Sequence, residues 1–230
     1  RPILRGRDIK RYGYDWANLW LIATFPACHY DIEKYPAVKN YLLSFEEKNL
    51  RDAGYDWVVD NYLADFCKQK LAQTGKFIEI AGKRITIGNT PEKARKKTSN
   101  KWFETQDSIS YWDLFFQPHI CWKAVGRKLA FSLVESGVFL TAPASFISGG
   151  KYNETILHYL CSNVGTYFIY KNSDTTGAGD IMLNIQSLIR FPVPIGNLET
   201  KGLSHEEINN AIYKIYGFTN AEISYIESQI

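Results

Sequence analysis

The chain has 230 residues, of which 45% are hydrophobic and 15% aromatic, and a formal net charge of +3. That is enough apolar material for one sizeable domain or a domain with an appendage, and it excludes a disordered chain. So mild a charge permits nucleic-acid binding without requiring it, and the placement of the cations matters more than their sum.

The first segment, Leu4-Arg5-Gly6-Arg7-Asp8-Ile9-Lys10-Arg11-Tyr12, sets four cations, a glycine and an aromatic between Ile3-Leu4 and the apolar Trp20-Leu21-Ile22. Arginine forks bind phosphate oxygens bidentately and glycine lets a backbone come close, so the segment suits a phosphate-gripping turn. Val38, Tyr41, Leu42 and Phe45 then recur at helical spacing between Pro36 and Arg51. Val59, Tyr62, Leu63 and Phe66 repeat that spacing between Asp56 and Gln73, with Gly75 as the stop. Phe77-Ile78-Glu79-Ile80 and Arg84-Ile85-Thr86-Ile87 alternate around Ala81-Gly82-Lys83, which predicts a hairpin. Residues 88–101 are polar and basic with no apolar period, and read as a loop.

Between Trp112 and Ile147 short apolar runs are broken by Pro118, Gly126, Gly137 and Pro143, as in strands joined by turns. Residues 156–170 read as one apolar helix and 181–193 as strand. The C-terminus carries two capping-box pairs, Ser204 with Glu207 and Thr219 with Glu222. Ile208, Ile212 and Ile215 line one face of the first helix, Ile223, Ile226 and Ile230 one face of the second, and Gly217 sits where a C-terminal cap belongs. The expected class is α+β. An antiparallel or mixed sheet body over residues 76–193 carries helices at 36–73 and 156–170, within a domain spanning 1–200. A C-terminal helix pair at 201–230 packs on the same domain.

Cys28, Cys67, Cys121 and Cys161 are widely spaced and form no C-x-x-C pair, which argues against a zinc ribbon or a redox motif and predicts reduced, mostly buried thiols. No stretch is long and apolar enough to cross a bilayer, and the basic start lacks the apolar core of a signal peptide, so a cytoplasmic location is expected. The chain begins Arg1-Pro2 rather than with Met, and a fragment of a longer polypeptide is expected.

The order of several phrases resembles the C-terminal target-recognition domain of adenine DNA methyltransferases of the TaqI type and of fused type IIG restriction-modification enzymes. Leu4-Arg5-Gly6-Arg7-Asp8-Ile9 is similar to the phrase that opens those domains, and Leu19-Trp20-Leu21-Ile22 to the strand that follows it. The helix from Tyr35-Pro36 to Asn49-Leu50-Arg51 is similar to theirs, as are Trp102-Phe103-Glu104 and Phe116-Gln117-Pro118-His119-Ile120, where His119 stands in place of their lysine. Leu160-Cys161-Ser162-Asn163, the loop Thr176-Gly177-Ala178-Gly179, Phe191-Pro192-Val193-Pro194 and Ile215-Tyr216-Gly217-Phe218-Thr219 complete the series.

The resemblance implies a module that binds double-stranded DNA in a bacterial cytoplasm and presents an adenine to a methyltransferase domain upstream in the same chain. Catalysis and S-adenosylmethionine would belong to that upstream domain, with Mg²⁺ where a nuclease domain is also present. The Asn/Asp-Pro-Pro-aromatic motif and the glycine-rich cofactor loop of the catalytic domain are missing from the sequence, so no catalytic residue, metal or cofactor is expected in this fragment. Glu46-Glu47-Lys48 has the residue types of a nuclease site but falls on a predicted helix, where surface pairs are expected. His29, His119, His158 and His205 have no ligand spacing.

Affinity for DNA comes mostly from cations against phosphates, and base identity from groups that reach groove edges. Two basic clusters suit the first task. One is Arg5, Arg7, Lys10 and Arg11; the other is Lys83 and Arg84 with Lys93, Arg95, Lys96, Lys97 and Lys101. Asn89, Asn100, Lys101 and Gln106 flank the basic loop and are candidates for base reading. Ser148-Gly149-Gly150-Lys151 is a further loop that could approach a backbone, with Lys151 as its cation. Trp102, Phe103 and Tyr152 could stack on an unpaired base, though burial is the commoner fate of large aromatics. A second reading, of another class, is a protein-interaction module that docks a partner subunit of a restriction or phage-defence complex through the C-terminal helices and an aromatic surface.

Overall fold

The structure, a computed structural model, describes residues 1–72, 77–86, 100–105, 109–194, 196 and 198–230, with the side chains of 70–72 left aside. It is a mixed α+β fold. The chain divides into two compact units, one made of Arg1–Leu21 with Tyr111–Ile230 and the other of Ile22–Ser110. The division falls at these two crossings, and residues 201–230 belong to the same unit as 111–200. The strands expected over 76–193 are therefore shared between two bodies.

The chain starts with β1 (Ile3–Leu4), a 3₁₀ turn at Gly6–Asp8, and the hairpin of β2 (Ile9–Lys10) and β3 (Gly13–Tyr14). The second unit follows, with α1 (Pro36–Asp52), α2 (Asp56–Ala72) and the hairpin of β4 (Ile78–Ile80) and β5 (Lys83–Ile85). Back in the first unit come β6 (His119–Lys123), β7 (Val125–Gly126), β8 (Phe131–Val134), β9 (Phe139–Leu140) and β10 (Ala144–Ile147). Then follow α3 (Asn153–Cys161), α4 (Asn163–Asn172), β11 (Asp174–Thr175), β12 (Ile181–Met182), α5 (Ile185–Leu188), α6 (His205–Tyr216) and α7 (Asn220–Glu227).

In the first unit β6 is the middle strand of an antiparallel sheet ordered β10-β6-β8. Its side chains alternate between two cores. Ile120 and Trp122 point into a cluster with Phe131 of β8 and with Leu157, Leu160, Ile169 and Ile212, which α3, α4 and α6 supply. Cys121 points the other way, into a cluster with Leu4, Ile9 and Val134. Burial on both faces explains why the strand reads as an apolar run without polar alternation. The N-terminal segment is held as the second cover by β1 pairing parallel with β9 and by Tyr12 N–H donating to the Phe131 carbonyl at 2.8 Å. Burial pushes the Cys121 thiol up to about 12 and the Cys161 thiol up to about 11, which leaves both poor nucleophiles. Cys28 is only half-buried, and Cys67, Cys121 and Cys161 are buried.

The helix expected over 156–170 is two helices. Ser162 ends α3 in an extended conformation and caps α4, its Oγ accepting from Gly165 N at 3.0 Å and donating to the Tyr159 carbonyl at 2.6 Å. The corner is tight because Gly165 has no side chain: a methyl there would lie 2.2 Å from the Tyr159 carbonyl oxygen. The strand expected over 181–193 is confined to Ile181–Met182, after which Asn184 caps α5 through its Oδ1. At the C-terminus both capping boxes form and Gly217 caps α6 at φ 71°. Ile208, Ile212 and Ile226 are buried, whereas Ile215 and Ile230 are exposed. The pair packs through Asn209, whose Oδ1 accepts from Asn163 N at 2.8 Å.

In the second unit the hairpin Ile78, Ile80 and Ile85 packs with Leu50, Val58, Phe66 and Cys67. The helices of this unit thus cover this hairpin. Arg51 joins them, reaching Glu47 at 3.2 Å, Asp56 at 2.9 Å and Asp60 at 3.1 Å. Both helices form, but the stripe expected on α1 is not the buried one: Tyr41 and Phe45 are exposed and stack edge-on at 4.9 Å, while Leu50 and Leu43 face the core. α2 departs from helical geometry at Tyr62. The hairpin turn has two residues, not three. Ala81 and Gly82 both take positive φ, 49° and 73°, as a type I′ turn demands. Among the described residues no helix is long and apolar enough to cross a membrane.

Two stability changes follow. Gly165→Ala should cost about 3 kcal/mol in urea unfolding, because backbone atoms of α3 must move to admit the methyl group. A cost below about 0.5 kcal/mol would mean that the corner relaxes freely. Ala81→Asn should stabilise by about 0.5 kcal/mol, because asparagine tolerates the left-handed conformation better than alanine; a lower thermal midpoint would refute the turn assignment.

Candidate nucleic-acid interface

Arg5 and Asp8 shape the N-terminal turn. The guanidinium donates from Nε to Asp8 Oδ2 at 3.0 Å and from Nη2 to Oδ1 at 2.8 Å, and Arg5 N–H donates to Oδ2 at 2.9 Å. These bonds, the side-chain pair first, hold the buried Asp8 carboxyl below its ordinary value of 3.8. Arg5 is therefore occupied inside the turn. The turn throws Arg7, Lys10 and Arg11 to one side, where they line a cleft of about 630 Å³ with Lys123 and Lys128. Gly6 lies in its wall, and the Thr166 and Tyr170 side chains of α4 complete the polar part.

Among the described residues five cations line this cleft and no carboxylate does. Arg7, Lys123 and Lys128 make no ion pair among the described residues, and Lys10 meets only the exposed Asp15 at 3.6 Å, a pairing that solvent screens strongly. Arg11 Nη2 donates to the Cys161 carbonyl, which fixes the guanidinium without cancelling its charge. Low-dielectric walls around like charges focus a positive potential into the opening, the physical condition for holding a polyanion.

Behind Arg11, Tyr12 sits at φ 64° with its ring 5.3 Å from that of His158 and 6.3 Å from that of His205. His205 Nε2 meets Asn209 Nδ2 at 3.1 Å, and His158 Nδ1 is buried without a partner. Burial is the main cause that lowers both imidazoles below the ordinary 6.5; the nearby Glu154 carboxylate opposes it for His158, while Arg11 and then His158 add to it for His205. Burial also lowers His119, which stands fully buried between Phe115 and Phe146 and is hydrogen-bonded through Nδ1 to the Gln117 carbonyl at 2.9 Å.

Beyond Arg5, the sequence-predicted residues fall into four groups. Arg7, Lys10 and Arg11 come together in the cleft. Lys83, Arg84, Asn100 and Lys101 belong to the second unit. There Lys83 Nζ lies 5.0 Å from the Trp57 ring centroid and the Arg84 guanidinium 4.2 Å from that of Phe77. Asn100 Nδ2 donates to the Thr105 carbonyl at 2.7 Å and Lys101 Nζ to the Tyr30 carbonyl at 3.1 Å. Lys151 is in the first unit but outside the cleft, 5.0 Å from the Tyr152 ring centroid. Asn89, Lys93, Arg95, Lys96, Lys97 and Gln106 lie outside the described residues. Phe103 is buried and Trp102 packs on the second unit's core, so both anchor their segment; Tyr152 is exposed.

Lys123 and Lys128 were not among the sequence candidates. Their signal was the stretch Lys123-Ala124-Val125-Gly126-Arg127-Lys128, a glycine turn with three cations directly after an apolar strand. The third, Arg127, pairs with Asp180 at 3.6 Å. A separate apolar groove of about 510 Å³ opens beside the C-terminal helices, lined by Tyr167, Phe168, Phe191, Tyr216, Phe218 and Tyr225. No family model matches the chain, and no curated protein matches it.

The three lowered imidazoles fix a pH dependence. Between their folded values and 6.5 the unfolded chain binds more protons than the folded one, so stability is full above about 6.5 and falls as pH drops below it. His158→Phe keeps a ring against Tyr12 and removes one titrating nitrogen. Its thermal midpoint should fall less between pH 7 and pH 5.5 than that of the parent; an equal or steeper fall would show that His158 is protonated in the fold.

Proposed function

We propose that this chain is the DNA-recognition part of an adenine-specific DNA methyltransferase or a type IIG restriction-modification enzyme in a bacterial cytoplasm. It would position the target adenine for a catalytic domain elsewhere in the same polypeptide. The observation that carries the reading is the cleft of Arg7, Lys10, Arg11, Lys123 and Lys128, which among the described residues holds five cations against no carboxylate. Phosphodiesters are the anions best matched to such a site, since each cation displaces a condensed counterion and gains affinity regardless of base sequence. The opening phrase on which the family resemblance rests supplies Arg7, and the residues directly after it supply Lys10 and Arg11.

In this reading the cleft fixes the register of the module on the duplex and carries no base information itself. Base reading falls to side chains that reach groove edges; Asn100 donates to the Thr105 carbonyl, a bond that competes with that role. Transfer of the methyl group from S-adenosylmethionine, and extrusion of the adenine from the stack, belong to the catalytic domain.

A second reading draws on the aromatic groove beside α6 and α7, which suits a module that docks a partner subunit. One experiment separates the two. The chain is titrated onto duplex oligonucleotides across a salt series, together with the Arg7→Ala/Lys128→Ala variant. Under the DNA reading log affinity falls linearly with log salt, and the variant's slope is shallower by about 1.8, two contacts at about 0.9 each. Binding that ignores salt, or an unchanged slope in the variant alongside a partner mapped to Tyr216 and Phe218, favours the docking module instead.

A further inference from the structure

Gly6 and Gly126 are far apart in sequence, and neither has the positive φ that calls for glycine. What each supplies is room, and the same side chain takes it. A methyl group on Gly6 would lie 3.1 Å from Lys123 Cγ and 3.5 Å from its Cβ. One on Gly126 would lie 3.2 Å from Lys123 Nζ, 3.4 Å from Cε and 3.5 Å from Cδ. The lysine thus runs from Gly6 at the base of its stem to Gly126 at its tip.

Lys123 is the exposed last residue of β6, whose four preceding residues are buried, and its backbone is paired with Ala144 of β10. A free surface lysine samples many rotamers and gives up that freedom when it grips a ligand. Here the stem is already laid down between two glycines, and its ammonium makes no ion pair among the described residues. We propose that Lys123 is a positioned phosphate ligand of the cleft, and that Gly6 and Gly126 hold its ammonium where a backbone phosphodiester of bound DNA sits. The proposal rests on the DNA reading above and adds to it a named ligand and two positioning residues.

The test is a double-mutant cycle of Lys123→Ala, Gly126→Ala and the pair, each titrated onto two unrelated duplex sequences across a salt series, with thermal melting as a check on folding. Lys123→Ala should weaken binding equally on both sequences and make the salt slope shallower by about 0.9. Gly126→Ala, whose methyl group would lie 3.2 Å from the ammonium and shift it by a few tenths of an ångström, should weaken binding too, and the pair should be no weaker than Lys123→Ala alone. Additive losses in the pair would overturn the positioning role, because Gly126 would then act through something other than the lysine. Should Gly126→Ala melt early, Gly6→Ala, which meets the stem instead of the tip, enters the same cycle with the same expectation. Failure of the parent chain to bind either duplex refutes the DNA reading. Salt-dependent binding by the parent with an unchanged slope in Lys123→Ala refutes the lysine assignment alone.

Discussion

Burial of β6 on both faces is the constraint from which the first unit follows. A strand covered on one side can alternate apolar with polar residues, but one covered on two is mostly apolar and needs two separate covers. The helices α3, α4 and α6 provide the first, over Ile120 and Trp122. The N-terminal segment provides the second, setting Leu4 and Ile9 against Cys121 and Val134. A segment used as a cover must turn sharply and pair at its edges. It does so through the Arg5–Asp8 clasp, the parallel β1–β9 pair and the bond from Tyr12 to Phe131. The cleft results from that packing: the cations that follow the turn are brought to the place where β6 leaves the core at Lys123.

The same packing separates structural charge from available charge. Arg5 is clasped by Asp8, Arg51 by three carboxylates and Arg127 by Asp180. Such pairs at or near the surface add little to stability, yet they remove cations from the outward field. Arg7, Lys123 and Lys128 are left unneutralised on one face among the described residues. A net charge of +3 therefore understates the local potential, which depends on which cations have no carboxylate beside them.

Local chemistry was legible in the sequence where it is decided locally. Both capping boxes, the Gly217 cap, the extent of α1, the start of α2 and the existence of the β4–β5 hairpin needed only neighbouring residues, and the structure carries each of them; the Gly75 stop expected for α2 lies outside the described residues. The α3–α4 corner was not legible, because Ser162 and Gly165 are each compatible with helix and only their joint close approach to α3 breaks it. Nor was the two-residue turn, since alanine is a poor candidate for the left-handed region that Ala81 occupies. Tyr41 and Phe45 stand at the correct helical spacing but on the wrong face, because periodicity gives an apolar stripe without saying which neighbour will cover it. Lys123 and Lys128 escaped for a different reason. Their grouping with Arg7, Lys10 and Arg11 is made by a sheet and a turn that join distant parts of the chain, and no spacing rule encodes it.

The opening phrase shows how one short motif can serve both fold and site. Arg5 and Asp8 bond to each other and set the turn. Ile9 is buried in the second core cluster. Gly6, which reads at first as a residue for backbone flexibility, has an ordinary φ and instead clears space for the Lys123 stem. Only Arg7 of this group faces the cleft as a cation without a partner. A basic motif of this kind is thus mostly scaffold, and counting its charges would misjudge its electrostatics. Its functional weight lies in where the scaffold places the one free arginine and in the lysine for which it makes room.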